Sequence, residues 1–164
     1  MDTRILCGAS EKGKIVVNKC LDKGIKITTL KLEQLLILMQ GTCLAKYNEF
    51  LFYENIILTP EGLKIEEVDK DFISFAAGFK EKLQEYHSLL DYQNAIIDDI
   101  ISVYGEKSTL ELSEVAPLHD LANYKDYGII QTFEIMKVFK NWGYQMYGDE
   151  PRNGIPYHKK HTKK

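Results

Sequence analysis

The longest helical pattern in the chain begins at Thr28, where a hydroxyl side chain precedes apolar residues spaced three and four apart. This spacing places them on one face of a helix that Thr28 caps, and they are Leu32, Leu35, Leu36, Met39 and Cys43. An earlier helix is predicted at about residues 10–23, with Gly24 as its stop. Because the link between the two helices is short, they are expected to pack as neighbours.

Helical spacing returns in three later stretches. The first runs from Phe72 to Leu90, the second carries an isoleucine stripe from Ile96 to Tyr104, and the third covers residues 132–142. Asp91 is a candidate cap for the second stretch, and Gly105 suits a left-handed residue after its end.

A capping box at Ser108–Glu111 predicts a short helix to about Val115, which stops before Pro117. Residues 118–130 read as a loop.

The helical period is lost between Tyr47 and Glu67. Short apolar runs at residues 50–52 and 55–58 are followed by the turn residues 59–62, a pattern typical of either a short β-hairpin around residues 50–60 or an irregular loop. The fold class predicted is therefore mainly α, a compact single-domain helical bundle with a possible hairpin.

The chain length of 164 residues fits one domain, and 45% hydrophobic and 27% charged residues are typical of a globular protein. Residues 1–148 are predicted to form the helical domain. Residues 149–164 contain five basic and two acidic residues between glycines and prolines, which predicts a disordered basic tail. Since the net charge of the chain is −3, the body carries −6, so nucleic acid binding is expected only through the tail.

No apolar run approaches the length of a membrane span or a signal peptide core, which predicts a cytoplasmic protein without membrane contact. Three widely spaced cysteines, Cys7, Cys20 and Cys43, favour reduced thiols that act as small apolar side chains.

Signatures of nucleotide, metal or other cofactor sites are absent from the sequence, so neither catalysis nor a cofactor is expected. His158 and His161 have a spacing that suits a metal, but they lie in the lysine-rich tail, which favours solvated side chains. Two catalytic alternatives stay open. One uses His119 with Asp120, and the other uses the acidic cluster of Asp91, Asp98 and Asp99, for which a solvated helix face is the simpler interpretation.

The aromatic residues Tyr47, Phe50, Phe52 and Tyr53 belong either to the core or to a partner-binding patch, since four aromatics without a helical period are hard to bury completely. The candidate partner-binding residues are these four together with Thr59, Pro60, Gly62 and His119.

Two stretches carry a likeness to a known family. Residues 27–36 are followed by Gln40-Gly41 and Leu51-Phe52, and Val103-Tyr104-Gly105 is followed by residues 110–115. These motifs resemble the Panacea domain, or SocA-like antitoxin domain, which opens with I-[TS]-P-L-K-L-Q-K-L-L-Y and later has K-Y-G and E-L-S-E-L-T-H. The resemblance covers about residues 20–142. It departs at residues 58–63, where the family has W-x-x-G-P-V, and at residues 116–119, where it has T-H-x-x-x-P-W.

The resemblance implies an all-helical antitoxin that neutralises a toxin by direct binding or delivers it to a protease. Such proteins are common in phages and mobile elements, so the alternative is an inhibitor of a host defence protein. In either role the partner is a protein, and a homo-oligomer is compatible with the same surfaces.

Overall fold

A computed structural model describes residues 8–124 and 126–147, with side chains up to residue 143. The described part is mainly helical and contains one small sheet, which confirms the predicted fold class. Its elements in chain order are α1 (Ala9–Asp22), α2 (Thr29–Tyr47), β1 (Ile57–Thr59), β2 (Gly62–Lys64), α3 (Glu66–Asp71), a 3₁₀ turn (Ile73–Phe75), α4 (Asp91–Tyr104), α5 (Thr109–Ser113), α6 (Ala116–Ala122), β3 (Gly128–Ile129) and α7 (Thr132–Tyr147).

Helix α2 forms the centre of the fold and packs against each of the other six α-helices described. The sequence predicts one apolar face, but 14 of its 19 residues are buried, including Ile37, Leu38 and Leu44 outside the predicted stripe. A helix that is apolar on every side has to be covered on every side. Its neighbours are therefore arranged as a shell around it.

The predicted stop of α1 at Gly24 and the predicted cap of α2 at Thr28 are both confirmed. Thr28 Oγ1 accepts a hydrogen bond of 3.2 Å from the backbone N–H of Lys31 and so caps α2. Gly24 has a φ of +73°, and the N–H groups of Gly24 and Ile25 donate to Leu21 and Cys20 of the preceding turn. This is the glycine-dependent C-terminal motif that ends α1 and turns the chain towards α2.

The predicted hairpin exists, but its strands begin after the apolar run at residues 50–52. The sheet has the order β2-β1-β3 and is antiparallel throughout, with Leu58 opposite Leu63 on one side and Gly128 on the other. Strand β3 lies in a region predicted to be a loop. It pairs with β1 from far along the chain, so no local sequence pattern predicts it.

The helix predicted from Phe72 towards Leu90 is wrong. Phe72, Phe75 and Phe79 do cluster, with the rings of Phe75 and Phe79 stacked at 4.5 Å between centroids. Gly78, however, has a φ of +129°, and the N–H of Phe79 donates to Ile27 O instead of a helical carbonyl. The aromatic spacing therefore reflects one shared contact, and residues 80–90 cross the surface without regular structure.

Three smaller predictions also need correction. Residues 116–122, which the sequence predicts to be partly loop, form α6. Pro117 lies in the first turn of this helix, where a backbone N–H has no partner within the helix, so the proline does not prevent the helix from forming. Gly105 is right-handed, with φ −59°, and a Cβ on it would lie 2.9 Å from Ile25 Cδ1, so this glycine provides space. Helix α4 begins at Asp91 itself, and the preceding Leu90 N–H donates to the Gln93 side chain.

The buried apolar side chains form one continuous core, which includes the predicted isoleucine stripe of α4 and Ile135 and Phe139 of α7. Within the described ranges no helix is both long and apolar enough to cross a membrane. The predicted basic tail at residues 149–164, with His158 and His161, lies outside the described residues, as does Cys7.

The close contact between α2 and α7 depends on Gly41, because a Cβ there would overlap the ring of Phe139. We expect Gly41→Ala to lower the free energy of unfolding by about 2 kcal/mol through overpacking. The matched control is Gly13→Ala in α1, whose Cβ would meet Leu32 at an ordinary 3.4 Å. That change should raise stability by about 0.5–1 kcal/mol through helix propensity. Urea denaturation measures both, and equal effects would contradict this account of Gly41.

Candidate partner-binding surface

A polar side chain of the central helix fixes the conformation of residues 48–56, here called the aromatic loop. Gln40 is buried, and its Oε1 accepts from the N–H groups of Leu51 at 2.7 Å and Phe52 at 3.2 Å. Its Nε2 donates to Phe52 O at 2.7 Å. One side chain thus satisfies three backbone groups of a segment without secondary structure, which holds the loop against α2.

The predicted aromatic patch divides into exposed and buried members. Tyr47, Phe50 and Tyr53 expose 40%, 45% and 51% of their surface, and the rings of Phe50 and Tyr53 lie 6.5 Å apart. Phe52 is only 1% exposed, so its assignment to the partner-binding surface is wrong. Gln40 binds the backbone of Phe52 and turns this side chain into the core, while its neighbours in the loop remain at the surface.

Residues from far along the chain also reach the depression beside the aromatic loop. Ile130 and Thr132 line the same small depression as Phe50 and Tyr53. Their exposed neighbours in the sequence, Ile129 in β3 and Phe133 in the first turn of α7, are both more than half exposed. Because β3 joins the sheet through a long-range pairing, no local signal connects these two residues with the aromatic loop.

A second apolar feature lies at the turn end of the hairpin and is here called the leucine groove. Its volume is about 310 Å³, and it is bounded by α2, the β1–β2 turn, α5 and α6. Its principal lining residues are Leu30, Gln34 and Ile37 of α2, Leu63 of β2, Leu110 of α5 and Leu118 of α6. Leu110 is 73% exposed.

A buried carboxyl group of α2 holds the hairpin wall of the leucine groove. Glu33 Oε2 accepts a 3.0 Å hydrogen bond from Ile65 N–H, directly after β2, while its Oε1 has no hydrogen-bond partner among the described residues. Burial raises the pKa of Glu33 from 4.5 to about 7, the hydrogen bond from Ile65 opposes this rise, and the nearby Asp69 adds to it. At a pH near 7 the Glu33 carboxyl group is therefore partly protonated.

The hairpin turn places its three candidate residues differently. Thr59 Oγ1 donates to Gly62 O at 2.9 Å and accepts from Glu61 N–H at 3.1 Å, so the hydroxyl stabilises the turn itself. Pro60 is exposed at the tip. Gly62 has a φ of +118°. It lines the leucine groove and not the depression beside Phe50 and Tyr53.

His119 is exposed on α6, and its Nδ1 lies 3.9 Å from Asp120 Oδ1, with both side chains more than half exposed. In the acidic cluster, Asp98 forms an ion pair of 2.9 Å with Lys19 of α1. Across residues 8–124 and 126–147, no three His, Cys, Asp or Glu side chains are grouped as a metal ion would require.

Cys20 and Cys43 are free and buried, and burial raises the pKa of their thiols to about 11 and about 12.

No family model, curated protein or solved structure matches this chain. The likeness to the Panacea domain therefore rests on the sequence motifs alone.

Removal of the Gln40 side chain should loosen the aromatic loop. In Gln40→Ala, the N–H groups of Leu51 and Phe52 and the carbonyl of Phe52 lose their partners, and we expect a loss of about 3 kcal/mol in the free energy of unfolding. Amide hydrogen exchange at Leu51 and Phe52 should accelerate. The control is Gln84→Ala at an exposed position, expected within about 0.5 kcal/mol of the parent. Unchanged exchange at both amides would contradict the role of Gln40.

The raised pKa of Glu33 predicts a pH dependence of stability. Between pH 4.5 and about 7 the folded state keeps a proton on Glu33 that the unfolded state releases, so stability falls as the pH rises through this interval. At about 1.4 kcal/mol per pKa unit, the loss is about 3 kcal/mol when complete. Glu33→Gln keeps an acceptor for Ile65 N–H and should remove this loss.

Urea denaturation at pH 5 and pH 8 measures the effect. Glu33→Gln should match the parent at pH 5 and exceed it in stability at pH 8, while the exposed control Glu67→Gln should follow the parent at both values. A parallel pH dependence in parent and Glu33→Gln would show that Glu33 does not titrate in this range.

Proposed function

We propose that this chain is a protein-binding module of the antitoxin type, which covers its partner with the aromatic loop and the adjacent apolar side chains. The observation that carries the proposal is the exposure of Phe50 and Tyr53 on a loop whose backbone is held by Gln40, with Tyr47 exposed at the end of α2 just before this loop. Tyrosine and phenylalanine are enriched at protein interfaces, where aromatic anchors contribute much of the binding energy.

The attachment of the loop favours a binding role over a merely exposed segment. Because Gln40 fixes the backbone at Leu51 and Phe52, the neighbouring rings are ordered before any partner arrives. A preorganised surface loses less conformational entropy on association than a mobile one. Ile130 and Thr132 line the small depression beside Phe50 and Tyr53, so the exposed rings border a concave surface.

The resemblance to the Panacea domain supports a toxin as the partner. Gln40-Gly41 and Leu51-Phe52, two of the resembling motifs, are the residues that fasten the aromatic loop and admit α7. The two departures from the family pattern fall at the hairpin turn and at the start of α6, which border the leucine groove. We infer that the toxin bound by this chain differs from the usual partners on that side.

The test is neutralisation of a toxin encoded beside the gene for this chain. Each neighbouring reading frame whose product stops bacterial growth is expressed alone and together with this chain. We expect one of them to be neutralised and to co-purify with the chain. The double variant Phe50→Ala with Tyr53→Ala should lose both properties.

The matched control is Tyr86→Ala, which removes another highly exposed tyrosine far from the aromatic loop in sequence. It should neutralise as well as the parent, and the melting temperatures of both variants should stay close to the parent. If none of the toxic neighbours is neutralised, the antitoxin assignment is overturned. Recovery of a host defence complex that depends on Phe50 and Tyr53 would instead favour the alternative role of a phage or mobile-element inhibitor.

A further inference from the structure

Residues 62–71, which comprise β2 and α3, are here called the clasp segment, and they are fixed at both ends. At one end β2 pairs with β1, which β3 holds on its other side. At the other end, Phe72 O accepts a 2.7 Å hydrogen bond from Thr29 Oγ1 of α2. Between these ends α2 reaches the segment through Glu33, whose Oε2 accepts from Ile65 N–H at 3.0 Å.

The contact between Glu33 and the clasp segment is closed to water. Glu33 is 1% exposed, and Ile65 and Val68 beside it are fully buried. The charged groups that act on the carboxyl group belong to the segment itself, Lys64 of β2 and Asp69 of α3, and these two pair with each other at 3.5 Å. Oε1 of Glu33 therefore has no donor among the described residues.

A carboxyl group in such a place is stable only in its neutral form. An ionised carboxylate needs hydrogen-bond donors at both oxygens, and a buried charge without them costs more than a buried neutral group. Only Oε2 of Glu33 receives a donor in the closed contact. Ionisation is relieved when the segment moves off α2, because water can then reach Oε1.

We propose that Glu33 is a proton-controlled clasp. While its carboxyl group is protonated, the clasp segment lies closed against α2. When the proton is lost, the balance shifts towards an open state in which residues 62–71 leave α2 and water hydrates the carboxylate. The pairing of β2 with β1 and the bond from Thr29 to Phe72 limit this movement to the segment between them.

The direction of the pH effect follows from the two states. Burial holds the pKa of Glu33 at about 7 in the closed state, with Asp69 raising it and Lys64 lowering it, whereas the hydrated carboxyl group has a pKa of 4.5. Between these values the closed state keeps a proton that the open state releases. The ratio of open to closed molecules therefore rises by up to about tenfold per pH unit and levels off above pH 7.

The test is residue-specific amide hydrogen exchange on the full chain at pH 5 and pH 7, with each rate divided by its intrinsic value. Protection of the Ile65 and Val68 amides should fall about thirtyfold between the two pH values. In Glu33→Gln, which keeps an acceptor for Ile65 N–H, their protection should be equal at both. The exposed control Glu67→Gln should follow the parent.

A separate open state is distinguished from complete unfolding by an internal reference. Ile97 lies within α4 and is fully buried, so its amide exchanges when the whole domain unfolds. At low urea concentrations its exchange should accelerate, because complete unfolding exposes much surface. Exchange at Ile65 should be faster than at Ile97 and nearly independent of urea, because opening exposes little surface. No toxin is involved, so the result is independent of the proposed antitoxin function.

Three results would overturn the proposal. The first is exchange at Ile65 with the rate and urea dependence of Ile97, which would leave no separate open state. The second is protection of Ile65 that does not change with pH in the parent. The third is the same change with pH in Glu33→Gln.

A second variant keeps the test decisive if Glu33→Gln does not fold. Asp69→Asn removes the charge that raises the pKa of Glu33, so its closed state releases the proton at lower pH. The loss of Ile65 protection between pH 5 and pH 7 should then be smaller than in the parent. An equal loss would show that Glu33 does not control the opening.

Discussion

The fold depends on the burial of helix α2 on all of its faces. Leu32, Leu36, Ile37, Leu38 and Met39 are inaccessible to solvent although they point in different directions around the helix axis. Such a helix is stable in water only when other elements enclose it, because every uncovered face would expose apolar surface. The six other described α-helices make up that enclosure, and α4 and α7 contribute the largest parts of it.

An enclosed helix also has to satisfy its polar side chains within the protein. Thr29 donates to Phe72 O at 2.7 Å, Glu33 accepts from Ile65 N–H, and Gln40 binds Leu51 and Phe52. All three serve backbone groups in segments where helix or sheet ladders leave hydrogen bonds open. The polar residues of α2 thereby determine where the non-helical parts of the chain lie against it.

The aromatic loop and the leucine groove both derive their order from this arrangement. The aromatic loop is held by Gln40. The walls of the leucine groove are held by Glu33, which accepts from Ile65 N–H, and by Gln34, whose Nε2 donates to Thr109 O at 3.0 Å. A loop on a rigid scaffold presents side chains without a large entropic cost on binding, which is why recognition is often located there. In this protein the central helix provides both the hydrophobic core and the attachment of its surfaces.

The sequence by itself determined the helices with strong local signals. The Thr28 cap, the Gly24 stop, the Ser108–Glu111 capping box and the isoleucine stripe of α4 depend on neighbours within a few residues, so each is read directly from the chain. For Tyr47, Phe50, Phe52 and Tyr53 the sequence leaves core and surface open, because the segment has no clear helical period, and only Phe52 is buried in the fold.

Tertiary contacts alone decided the rest. Phe79 binds Ile27 instead of continuing a helix, β3 pairs with β1 from seventy residues away, and Phe52 is buried because Gln40 holds its backbone. Leu30 and Leu110 form a groove only when α2 and α5 meet. These outcomes depend on residues far apart in the chain, and local propensity carries no information about such partners.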